Sequence, residues 1–189
     1  MDERQLKTIE NVTANFFFWQ GLRWVPLGAV LLAWVSLPRD FLPHDLDVAV
    51  MAAAMFFAFA LSKRIGAYYE RTYGRVRGIQ NVRRERWKWN FVYPLMIGSL
   101  LVDGLLHPPF LVSGPVWAAA ILLYWNSTGR GRRHYLVIAA VVAATFFFPS
   151  LDFFFGVIGA AYVLGGLLDH FELTRILRPL AEDGDARTV

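Results

Sequence analysis

Apolar residues come in long blocks separated by short polar or proline-bearing turns. This blocking predicts helices that cross a bilayer, because blocks of this length are apolar all round instead of along one face. Six such blocks are legible, at 16–37, 46–70, 89–106, 113–126, 134–148 and 153–170. They form an all-α, polytopic transmembrane bundle of three helical hairpins, a domain spanning 16–180. Residues 1–15 differ. Leu6, Ile9 and Val12 recur at helical spacing among Asp2, Glu3, Arg4, Lys7 and Glu10, which predicts an amphipathic helix lying on the membrane surface.

The boundaries follow from the breakers. Pro26 kinks the first helix or marks a shifted start, and Pro38 and Pro43 bracket the turn after it. The second block continues without a breaker through Ser62 to Arg71, so its helix is expected to project beyond the bilayer. Trp87 and Trp89 open the third block at an interfacial aromatic belt, and His107-Pro108-Pro109 closes it. Ser113-Gly114-Pro115 reads as the start of the fourth. The fifth is short for a span, so flanking aromatic residues or bilayer thinning must compensate. Residues 181–189 are polar and expected to be disordered.

Charge orients this arrangement. Nine basic residues lie between Lys63 and Lys88, and apart from Arg23 and Arg39 every other Lys and Arg falls at a terminus or in a connection on the same side. By the positive-inside rule that side is cytoplasmic, with both termini there and the connection 63–88 as its main basic segment. The net charge of +4 is therefore a topological feature, and nucleic acid is not expected as a partner. Hydrophobic residues make up 56% of the 189, more than a soluble domain of this length could cover with polar surface. Asp2, Glu3 and Glu10 occupy the stretch that a signal peptide keeps basic, so the first block is expected to be retained in the plasma (inner) membrane. The lack of cysteine excludes disulfides, thiol catalysis and cysteine-held metals.

Candidate chemistry gathers at the two ends of the spans. Asp103 and His107, four apart at the outer end of the third, are the candidate metal ligands, with His44, Asp45, Asp47 and Asp152 on the same side. Against that reading, such residues cap helices, and three or more ligands would have to converge from separate loops; no metal or cofactor is expected. At the inner end, Arg23, Lys63, Arg64, Tyr68, Asp169, His170, Glu172 and Arg175 form a candidate polar cluster. Arg23 there requires an exit or a partner, and Asp169 or Glu172 is the expected one. Arg71, Arg75, Arg77, Arg83 and Arg84 are candidates for binding lipid headgroups or a partner. Gly156, Gly159, Ala160, Gly165 and Gly166 would let another helix approach closely, from this chain or a second one.

Three stretches, Gln20–Gly28, Tyr68–Val76 and Leu168–Arg175, together resemble a group of uncharacterised bacterial multi-span membrane proteins. The resemblance implies no established activity, but it directs attention to the cytoplasmic ends of the first, second and last spans. The leading expectation is a non-enzymatic membrane protein that binds lipid or a protein partner, as an accessory or sensor subunit of a transport system. Self-association or a second membrane subunit would supply the partner. The alternatives are a small oligomeric transporter or channel and a metal-dependent membrane enzyme. Nearly all ionisable groups sit at span ends, whereas ion-coupled transporters place some at mid-membrane.

Overall fold

A computed structural model of the chain describes residues 20–38, 43–73, 81–127 and 132–185. Among them are six α-helices and no strand: α1 (Val25–Ser36), α2 (His44–Tyr73), α3 (Asn81–Leu106), α4 (Ser113–Ser127), α5 (His134–Ala144) and α6 (Leu151–Asp185). Short 3₁₀ turns precede α1 at Gly21–Arg23 and follow α5 at Thr145–Phe147. The expected surface helix at 1–15, and Arg75 and Arg77, lie outside the described residues. Pro26 marks a shifted start: it occupies the first turn of α1, where its missing N–H leaves no bond unmade. Two helices outrun their expected limits. α3 begins at Asn81, inside the basic connection, and α6 continues to Asp185, where disorder was expected from 181.

Three helices are long and apolar enough to cross a membrane, over Ala49–Thr72, Lys88–Leu106 and Leu151–Ile176; Gly21–Ser36 and His134–Phe147 are shorter apolar segments. Their outer faces are the apolar ones. Phe56 and Phe57 of α2, Phe91 and Leu105 of α3, Val137 of α5 and Leu164 of α6 are all exposed, while Ser62, Ser99, Asp103, Ser113, Thr145 and Asp169 are buried. Water would reject such a surface and lipid tails accept it.

Neighbouring helices run in the order α2, α1, α6, α5, α4, α3, with α6 central. Leu31 of α1, Ala118 of α4, Ala139 and Val142 of α5, and Phe154 and Ile158 of α6 share one core, and Trp117 meets Phe154 edge to face at 5.4 Å. The closest contact is between α1 with its leading turn and α6. Gly28 lies against Gly159, and Gly21 against Gly166. Seven residues separate the glycines on each side, as an antiparallel pair facing along one seam requires. A Cβ on Gly28 would come within 2.6 Å of the Gly159 carbonyl oxygen, and one on Gly166 within 2.6 Å of the Gly21 oxygen. Trp24 stacks on Tyr162 beside this seam, with ring centroids 5.8 Å apart. The partner of Gly156, Gly159 and Gly166 is thus α1 and its leading turn in the same chain, whereas Gly165 faces Ile138 of α5.

At the end opposite Asp169, Asp103 holds two elements together. Its Oδ1 accepts the Val112 N–H at 2.8 Å and its Oδ2 the Ser113 N–H at 2.7 Å, so the carboxylate of α3 caps the N-terminus of α4. Gly114 packs against Thr145 and Phe146, whose carbonyl accepts the Leu111 N–H at 3.0 Å. Ser150 caps α6, its Oγ accepting the Phe153 N–H at 3.3 Å.

The seam makes a sharp prediction. Gly159→Leu forces the α1 and α6 backbones apart and should cost about 1–3 kcal/mol, read as a lower midpoint of unfolding in mild detergent. Gly98→Ala, on α3 with nothing within 4 Å of the added carbon, should be neutral or stabilising by up to about 1 kcal/mol.

Candidate functional site

The Asp169 carboxylate has no solvent exposure, although α6 carries it near the end of the apolar segment. An isolated buried carboxylate is costly, so the fold must supply positive charge and donors. They come from the corner between α4 and α5. The Arg132 guanidinium, 1% exposed, donates through Nη1 to Asp169 Oδ2 at 2.8 Å, and the Tyr135 hydroxyl donates to the same oxygen at 2.6 Å. His134 Nε2 stands 3.1 Å from Oδ1 and forms an ion pair with it when the imidazole is protonated. The guanidinium lies over two rings, 5.2 Å from the Tyr124 centroid and 5.0 Å from that of Tyr135. Arginine suits this place because its planar cation stacks on aromatic faces while its N–H groups reach a carboxylate. Trp89 meets Tyr124 edge to face at 6.3 Å, and this aromatic wall lowers the local dielectric around the ion pair, which strengthens each polar contact.

The next residue on α6 faces the other way. His170 Nδ1 lies 2.8 Å from the hydroxyl of fully buried Tyr69 on α2, and that hydroxyl also receives the Leu22 N–H at 3.4 Å. Asp169 and His170 therefore bind α6 to opposite neighbours, the first to the α4–α5 corner and the second to α2 and the turn before α1. Gly21 makes this convergence possible, since its α-carbon sits against the Gly166 backbone and the Asp169 β-carbon. The described parts of the three stretches, 20–28, 68–73 and 168–175, contribute to this one end through Leu22, Tyr69, Asp169 and His170.

The expected pairing of Arg23 with Asp169 or Glu172 is replaced by another set of contacts. Arg23 Nη1 donates to Gln20 Oε1 at 3.0 Å, its guanidinium lies over Gly66, and Glu70 is the carboxylate that acts on its charge. Its carbonyl accepts the Ser62 hydroxyl at 2.6 Å, fastening the turn before α1 to α2. The physical reason is direction. Arg23 faces α2, whereas Asp169 turns toward α5. Glu172 is half-buried, and Lys63, Arg64, Tyr68 and Arg175 are exposed; Tyr69, the neighbour of Tyr68, is the buried phenol. Arg71 is exposed as well. Arg83 and Arg84 fall within α3.

Arg132, His134, Tyr135, Tyr124 and Tyr69 were not singled out by the sequence. In the sequence Arg132 counts only as topological charge; the signal that could have found it is the need of a buried Asp169 for a cation, which the expected pairing with Arg23 already answered. At the opposite end, Asp103 uses both carboxylate oxygens on backbone N–H groups, and His107 falls after α3 with φ of 45°, so the helical i, i+4 face does not extend to it. Among the described residues no group of three or more His, Asp or Glu is placed to hold a metal ion. Comparison with protein-family models, curated proteins and solved structures finds no match.

Chemically, Asp169 is a clamp. Its Oδ2 already accepts two hydrogen bonds, from Arg132 and Tyr135, which fix the carboxylate in place. Asp169→Leu alone leaves the Arg132 charge buried and should cost about 3–5 kcal/mol, whereas Asp169→Leu with Arg132→Met should recover most of that loss. A double-mutant cycle of detergent unfolding measures the difference.

Proposed function

We propose that the chain is a six-span, multi-pass protein of the plasma (inner) membrane with both termini cytoplasmic. Its function is non-enzymatic: it holds anionic lipid headgroups, or an acidic face of a partner subunit, at its basic end. An accessory or sensor subunit of a transport system is the setting that suits it. The observation carrying this reading is a division of labour among the cations. Arg132 is withdrawn into the bundle to meet Asp169, while Lys63, Arg64, Arg71, Arg133 and Arg175 remain exposed at the same end. Lys63 lies over the Phe59 ring at 5.0 Å, an arrangement that suits the boundary between lipid tails and headgroups. Each cation near an anionic membrane surface contributes about 1 kcal/mol.

Six spans account for both the long helices and the shorter apolar ones. α1 and α6 pack antiparallel, the α4–α5 corner lies at the Asp169 end, and Asp103, Ser113 and Phe146 share the other. The basic connections then fall on one side, as the positive-inside rule requires.

Two measurements test this. Replacing Lys63, Arg64 and Arg71 by Gln in the full chain should lower retention of anionic phospholipid through purification, by about fivefold in affinity for each cation removed; unchanged lipid and partner recovery contradicts the reading. Because the chain has no cysteine, single cysteines report sidedness cleanly. A membrane-impermeant maleimide added to intact cells should label His107→Cys and leave Arg71→Cys unlabelled, and the reverse pattern contradicts the orientation.

A further inference from the structure

We infer that α2 and α6 hold one anionic phospholipid lengthwise in a furrow between them, with an acyl chain against Leu61 and Leu164 and the phosphate at Arg71 and Arg175. The seat rests on the headgroup reading of the basic end and narrows it to one lipid at one address.

Helix direction creates the furrow. α1 runs antiparallel to α6 along the glycine seam and α2 returns beside α1, so α2 and α6 both run toward the Asp169 end. They meet there through the Tyr69 hydroxyl and His170 Nδ1, 2.8 Å apart. The turn before α1 closes one side of this contact, lying against Gly66 of α2 and Gly166 of α6. In two parallel helices, the residue before the contact on one and the residue after it on the other turn to the same side, because each step rotates by about 100°. Tyr68 and Phe171 are those residues, and their side is the one away from Gly66 and Gly166. The rings form a row, with Tyr68 on Tyr69 at 5.8 Å, Tyr69 on His170 at 5.8 Å and His170 on Phe171 at 6.1 Å. Its ends are open: Tyr68 is 51% and Phe171 63% exposed, while Tyr69 between them is fully buried. Seven residues back on the same two faces lie Leu61 and Leu164, both exposed and both inside the apolar segments. The furrow therefore has apolar walls over about 10 Å of depth and an aromatic pair at its mouth.

Charge selects the occupant. Arg71 lies three residues beyond Tyr68 and Arg175 four beyond Phe171, so each stands one turn nearer the basic end. Both are exposed, and neither makes an ion pair among the described residues. The acidic residues of these stretches turn to other faces, Glu70 acting on Arg23 and Glu172 facing His134 and Asp169. Two guanidinium groups at the polar end of an apolar furrow match a phosphodiester joined to an acyl chain, and their net charge favours an anionic headgroup. Phe56 and Phe57 are exposed as well, but Ala60 and Leu61 follow them one turn on where a cation would be needed.

The test places the full chain in phosphatidylcholine nanodiscs with a small fraction of phosphatidylglycerol whose acyl chain carries a photoreactive diazirine. Labelling should saturate at one lipid per chain, concentrate on the peptides holding Leu61 and Leu164, and be displaced by unlabelled phosphatidylglycerol but not by phosphatidylcholine. Arg71→Gln with Arg175→Gln should weaken it by about 25-fold, fivefold for each cation. Tyr68→Ala with Phe171→Ala should weaken it by at least about fivefold, and Phe56→Ala should leave it unchanged. Phosphatidylglycerol enrichment that responds to the arginines, with labelling spread evenly over every exposed apolar face, overturns the furrow and leaves the headgroup reading standing. Enrichment that ignores the arginines overturns both. A disulfide-linked dimer of Leu164→Cys, formed in place of lipid labelling, puts a second copy in the furrow and overturns the lipid seat.

Discussion

A carboxylate without access to water must be met inside the protein, and the basic end of this bundle is organised around that requirement. Asp169 is fully buried on the central helix, and its charge is answered by Arg132 and Tyr135 on one oxygen and faced by His134 at the other. These three residues lie where the chain turns into α5, so the ion pair also sets how that corner sits against α6. The cost of desolvating both charges is offset only by close geometry and by the aromatic faces of Tyr124 and Tyr135 beneath the guanidinium. Such a pair contributes little net stability over an apolar replacement, but it discriminates against alternative packings, because any slip leaves a buried charge alone.

The glycine seam makes the burial possible. Gly21 and Gly28 on one side and Gly159 and Gly166 on the other bring two backbones within a distance that any side chain would prevent. In a bilayer, where lipid tails are as apolar as the side chains, close backbone packing replaces the hydrophobic effect as the force between helices. The same approach seats Gly21 over Asp169 and brings the Leu22 amide to the Tyr69 hydroxyl. α6 consequently has a polar partner on each flank. The opposite end is simpler, with buried Asp103 and exposed Ser150 each satisfying a helix N-terminus.

The basic residues fall into two physical classes that look alike in a sequence. Arg132 is buried and serves the interior, whereas Lys63, Arg64, Arg71 and Arg175 are exposed. Arg23 belongs to neither class, because its guanidinium bonds Gln20 and lies over Gly66.

Helix content, the breakers and the crowding of polar groups at one end were legible from the sequence by itself, because apolar block length, proline and charge act locally. Pro26, Ser113 and the unbroken run from the second block into Arg71 all behave in the fold as their local chemistry requires. Asp169 was legible as the expected partner of Arg23, and His170 as a member of the polar cluster at that end. Only the tertiary structure decided which partners they have. Arg132 and Arg23 are both arginines near the same end, and their fates differ by the direction in which each element faces, a property set by helix rotation and by the glycine seam. Tyr68 and Tyr69 differ likewise by one step around a helix, which turns one phenol outward and buries the other against His170. Rotation about a helix axis is fixed by packing against neighbours distant in sequence, and no local pattern encodes it.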